Sequence, residues 1–120
     1  MSTLQTIFDK IINHLDNQKK KSIEENLCMY RGPNGLKCAI GVLIDDKHYY
    51  DDLETLPATH SEVVQCLRLS GNYIEHDNKF TELLQDCQFI HDYYGARAWK
   101  EKFKVVAEKF NLIFDDTKLN

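Results

Sequence analysis

The sequence predicts a mainly α fold, a compact single domain of four to five helices, with a short β-hairpin around residues 28–40 as the one competing element. Three observations predict it. Apolar residues recur at spacings of three and four along several long segments. Capping residues at Ser2 and Thr59 and glycines at 71 and 95 punctuate those segments at helical lengths. One stretch of seventeen residues, Cys28 to Ile44, breaks the pattern and holds three of the five glycines, one of the two prolines and two of the four cysteines.

The first helix is set by Leu4, Ile7, Phe8, Ile11, Ile12 and Leu15, which form one apolar stripe. Ser2 and Gln5 have capping-box spacing at its start, and the lysines at 19–21 favour the negative end of its dipole. Residues 22–30 read as a connector with extended character. The turn Gly32-Pro33-Asn34-Gly35 then leads either into a hairpin, with Cys28 and Cys38 facing across its tip, or into a helix with Asn34 as N-cap. The four-residue spacing of Leu36, Ile40 and Ile44 tips the balance towards the helix. Residues 45–57 read as a polar surface excursion. Thr59 and Glu62 open a helix carrying Val63, Val64 and Leu67 that stops at Gly71. A further helix over 79–94 places Phe80, Leu83, Leu84, Cys87, Ile90 and Tyr94 on one side, and a last one over 96–110 buries Trp99, Phe103, Val106 and Phe110. The domain is expected to span 1–114, with Leu112-Ile113-Phe114 packing back and 115–120 a loose tail.

Composition narrows the function classes. The chain has 120 residues, is 42% hydrophobic and 28% charged, and carries a net charge of -4, which argues against a duplex nucleic-acid binder. No apolar run reaches the about 18 residues of a membrane span, and the first residues lack a signal-peptide pattern. The expected setting is therefore the cytoplasm, with reduced cysteines. Exposed tyrosines on a helical domain are compatible with a homo-oligomer.

Chemistry concentrates at the glycine-rich turn. If Asn34 caps a helix, the amides of Gly35, Leu36 and Lys37 are free donors for a phosphate or carboxylate. Arg31 would add a bidentate contact, Lys37 a point charge, and Tyr30 a ring to stack on a base or sugar. The ligand set is thus Tyr30, Arg31, Asn34, Gly35, Leu36 and Lys37. The alternative is that Arg31 bonds carbonyls or the acidic pair Asp45-Asp46 and fixes a corner. Metal candidates are Cys28, Cys38, Cys87 and His91, but none has knuckle spacing, so no metal or other cofactor is expected. His91-Asp92 matches the metal-binding dipeptide of phosphohydrolases, for which His60 and His76-Asp77 would have to complete the set. Cys38, beside Lys37 and near a helix start, is a candidate nucleophile without a neighbouring base.

The segment Cys28, Tyr30, Arg31, Gly32, Gly35, Lys37, Cys38, Ala39, Gly41, Leu43 and Ile44 resembles a group of small uncharacterised tailed-phage and prophage proteins. They carry Cys-x-Tyr-Arg-Gly-x-x-Gly-x-Lys-Cys-Ala-x-Gly-x-Leu-Ile, and the similarity extends to a later Gln-x-x-x-x-x-His-Asp helix, here Gln85 to Asp92. The resemblance implies a phage-type origin and no mechanism. The expected function is a non-enzymatic, counter-defence binding protein that sequesters a phosphorylated, nucleotide-like ligand in the host cytosol. Inhibition of a host protein is the second expectation, and a small metal- or thiol-dependent enzyme the third.

Overall fold

The computed structural model describes residues 3–24, 27–72 and 78–120, with the side chains of residues 24, 27, 28 and 78 outside the description. Among these residues the fold is mainly helical, with four α-helices: α1 (Leu4–Gln18), α2 (Ser61–Leu69), α3 (Asn78–Tyr93) and α4 (Trp99–Lys109). The strands β1 (Ile23–Glu24) and β2 (Leu27–Cys28) pair antiparallel, Ile23 opposite Cys28. None of these helices is long and apolar enough to cross a membrane.

The apolar stripes form where their spacing puts them. Ile7, Phe8, Ile11, Ile12 and Leu15 of α1 are all buried. They meet Leu83, Leu84, Cys87 and Ile90 of α3, which also packs against Trp99, Phe103 and Val106 of α4. Phe8 sits edge-on to Phe103 and Phe114, with ring centroids 6.5 and 6.4 Å away.

The helix ends differ from expectation. Thr3 caps α1, accepting from the Thr6 amide while Thr6 Oγ1 accepts from the Thr3 amide; the expected cap, Ser2, lies outside the described residues. His60, not Thr59, caps α2, its Nδ1 accepting from the Glu62 amide at 3.1 Å. The expected loose tail is tied down: Leu119 N–H donates to Asp16 at 2.7 Å, and Lys104 pairs with Asp116 at 2.6 Å.

The largest departure lies in the 30–44 segment, which does not become a helix. Asn34 adopts a left-handed conformation (φ 59°) inside a 3-10 turn over Pro33–Gly35, and Arg31 and Lys37 bridge antiparallel across it. The tip of the hairpin reading is therefore present, but the Cys28 backbone pairs with Ile23 rather than facing Cys38. A second 3-10 turn, Gly41–Leu43, packs on α1 and buries Ile40, Leu43 and Ile44. Ile40 and Ile44, two of the residues whose spacing suggested a helix, are buried on either side of this single turn, while Leu36 lies outside it. The polar excursion 45–57 also reaches inward, for Leu53 is fully buried.

Candidate functional site

The glycine-rich turn does bind anions, and they are the chain's own. The amides of Tyr30 and Arg31 donate to the two carboxylate oxygens of Glu54 at 2.8 and 3.0 Å. Tyr49 O–H donates to Glu54 Oε2 at 2.6 Å. The Arg31 guanidinium donates to Ile44 O at 2.5 Å, pairs with Asp46 at 2.8 Å and lies over the Tyr49 ring. Two of the three amides expected to be free are engaged as well: Leu36 N–H donates to Pro33 O and Lys37 N–H to Gln18 Oε1. Lys37 Nζ stands 3.9 Å from Asp46. Without a helix start at Asn34, this turn presents no row of orphan donors.

Nor do the six expected ligand residues share one site. Asn34, Gly35 and Leu36 border a shallow cleft with His14, Asn17, Gln18 and Lys20. Tyr30 is buried, its hydroxyl donating to Leu56 O at 2.6 Å, and it lines a different cleft. Arg31 and Lys37 line neither.

That second cleft, about 310 Å³, lies between the 29–38 and 54–59 segments and one face of α3. Gln85, Gln88, Phe89 and Asp92 line it at i, i+3, i+4 and i+7, the spacing that aligns residues on a helix. Tyr30, Cys38 and Leu56 contribute from the opposite side. A chain of hydrogen bonds fixes the wall. Ile40 N–H donates to Gln88 Oε1 at 3.3 Å, and Gln88 Nε2 donates to Asp92 Oδ1 at 2.6 Å. His91, fully buried, accepts the Ser22 amide at Nε2 and so carries its proton on Nδ1, which donates to the same Asp92 oxygen at 2.9 Å. Its ring stacks on Trp99. Glu54 and Asp92 place two carboxylates on this cleft, and among the described residues no lysine or arginine lines it.

The environment keeps the thiol quiet. Burial pushes Cys38 up to about 12, and its sulfur accepts from the Gly41 amide. Burial also raises Cys87. Both are expected to resist iodoacetamide at pH 8 for as long as the protein stays folded, while all cysteines react after unfolding. Mass mapping of the alkylated native protein checks this, and rapid modification of Cys38 would contradict it. Among the described residues, no three His, Cys, Asp or Glu side chains come together to hold a metal. The Cys28 side chain and His76-Asp77 lie outside the described residues. His91 has both ring nitrogens engaged, and His60 serves as a cap.

His14 on α1 is half-buried, and desolvation is the main cause lowering its pKa. Nε2 donates to Lys37 O at 2.8 Å. Because folding favours the neutral ring, its contribution to stability is complete above the unfolded value near 6.5 and is lost as pH falls through the lower folded value. Thermal midpoints between pH 7.5 and 5 are expected to fall in the parent protein and to fall less in His14→Gln. An identical slope in the two would contradict this assignment.

Sequence reasoning missed Glu54, Gln88 and Phe89, and named Gln85 only as part of the resemblance, not as a site residue. A signal existed for the α3 set, since two amides, an acid and an aromatic at helical spacing mark a polar face opposite the apolar stripe. In comparisons with known families, curated proteins and solved structures, none matches this chain, and the cleft's chemistry rests on its own residues.

Proposed function

We propose that this protein is a non-enzymatic binding module that holds a small planar nitrogenous compound, of nucleoside size or smaller, in the cleft against α3. One observation carries the reading: Gln85, Gln88 and Asp92 line a cleft of about 310 Å³ whose other lining residues include Tyr30 and Phe89. Amides and a carboxylate pair with the N–H and carbonyl edges of a heterocycle, and rings cover its faces. Two carboxylates without a lining cation favour a neutral or cationic ligand and disfavour the phosphate expected from the sequence. The high pKa of Cys38 supports binding without covalent chemistry.

The two segments that carry the phage resemblance meet at this cleft, Tyr30 and Cys38 from one, Gln85 and Asp92 from the other. Sequestration of a nucleoside-like defence signal is the role that fits both. Native mass spectrometry of protein incubated with the four ribonucleosides tests the proposal. A retained nucleoside, lost on denaturation and lost in a folded Gln85→Ala, Phe89→Ala variant, is expected. Bare protein with all four would overturn it.

A second reading is a protein partner, the host-factor inhibitor of the sequence analysis. Phe89 and Tyr93 stack at 4.6 Å on the surface of α3, Tyr93 being 73% exposed, and Val105 of α4 is exposed as well. A Tyr93→Ser variant that loses a co-purifying protein, while any nucleoside binding persists, would favour it.

A further inference from the structure

The two carboxylates on the α3 cleft differ in what they have left to offer. A carboxylate accepts about four hydrogen bonds, two at each oxygen. Glu54 already answers the Tyr30 and Arg31 amides and the Tyr49 hydroxyl, with both oxygens in use. Asp92 answers Gln88 Nε2 at 2.6 Å and His91 Nδ1 at 2.9 Å, and both donors fall on Oδ1. Oδ2 accepts nothing from the described residues, and it is not one of the sealed, unpartnered polar atoms, which are Arg31 Nε and Trp99 Nε1. The Asp92 side chain is 26% exposed and lines the cleft. Its open acceptor positions therefore lie together on one oxygen.

This carboxylate is also held still. His91 is fully buried, stacks on Trp99 with ring centroids 5.7 Å apart, and has its tautomer set by the Ser22 amide, 3.2 Å from Nε2. The Ile40 amide fixes Gln88 at its oxygen, and Lys21 Nζ donates to the Asp92 backbone carbonyl at 3.1 Å. Among the described residues no lysine or arginine pairs with the Asp92 carboxylate itself. A fixed acceptor loses little freedom when a ligand arrives.

One oxygen with two open positions is matched by two N–H groups on different nitrogens of the same carbon, whose hydrogens converge on a single acceptor. Guanine has that edge in its N1–H and 2-amino group. Adenine, cytosine and uracil lack it.

We infer that Asp92 sets the specificity of the α3 cleft, and that the ligand carries two N–H-bearing nitrogens on one carbon, which among the common nucleobases is guanine. The inference rests on the nucleoside reading above and narrows it.

Inosine is the discriminating probe, because it keeps the N1–H and carbonyl of guanosine and lacks the 2-amino group. The His91 Nδ1–H and Gln88 side-chain amide resonances report binding, since both protons share the Asp92 carboxylate. Guanosine should move them saturably and bind at least about tenfold more tightly than inosine, the effect of one hydrogen bond to a charged acceptor. Asp92→Asn should bring the two to equal affinity, because His91 and Gln88 hold an oxygen at the Oδ1 position and leave an amide nitrogen in place of Oδ2. Equal binding of guanosine and inosine by the parent protein, which needs no variant, would overturn the inference. So would a folded Asp92→Asn protein that still discriminates, or tighter binding of adenosine, cytidine or uridine; in each case the cleft would stand as a nucleoside site. Failure of all four ribonucleosides to bind would overturn the nucleoside reading and this inference with it.

Discussion

Replacing Gly41 by alanine is expected to destabilise the protein by about 3 kcal/mol or more, a large share of the roughly 5–15 kcal/mol that holds a domain of this size. A Cβ at this position would overlap the Tyr30 carbonyl oxygen and stand 2.8 Å from its carbon. Both are backbone atoms, so no side chain can swing away. The clash would separate residues 30–31 from the 41–43 turn, and with them the Glu54 contacts and one wall of the cleft. Gly35→Ala is the control: Gly35 has φ 78° but open space around it, so its cost is conformational alone, about 1 kcal/mol. Urea unfolding of the two variants separates close approach from backbone strain. Equal losses would show that the approach of Tyr30 to Gly41 is not what the fold depends on.

Glu54→Ala is expected to cost about 2–4 kcal/mol, from removing one partner of a hydrogen-bonded, part-buried charge. It strands the Tyr30 and Arg31 amides and the Tyr49 hydroxyl together. Tyr49→Phe removes one of those bonds, at about 1 kcal/mol. The double variant should lose less than the sum, because Tyr49 has no carboxylate to reach once Glu54 is gone. Strict additivity in chemical denaturation would contradict the shared role assigned to this carboxylate.

These two residues also mark the limit of what the sequence discloses. The stripes of α1, α3 and α4 are long and regular, and burial follows them almost residue by residue. Periodicity alone could not resolve 30–44, because Ile40, Leu43 and Ile44 satisfy a helix and a 3-10 turn equally. What decides is tertiary: the close approach of Gly41 to Tyr30 and the bridge between Arg31 and Lys37. Glu54 sits in an acidic run, Asp51-Asp52-Leu53-Glu54, that reads as a solvated face. The one local hint is Leu53, an apolar residue among acids, whose burial fixes the segment in place. That Arg31 bonds a carbonyl and the Asp45-Asp46 pair was legible in the sequence as the alternative to a ligand; the contacts to Glu54 were not, because the donors and Glu54 are more than twenty residues apart.

The most direct test of the α3 cleft is a titration of isotope-labelled protein with the four ribonucleosides and their monophosphates, observing backbone and side-chain amide resonances. At least one nucleoside should shift the Gln85 and Gln88 amides saturably, and its monophosphate should bind more weakly. Shifts confined to Asn34, Gly35 and Leu36, or tighter binding of the monophosphates, would contradict the cleft and return the site to the turn.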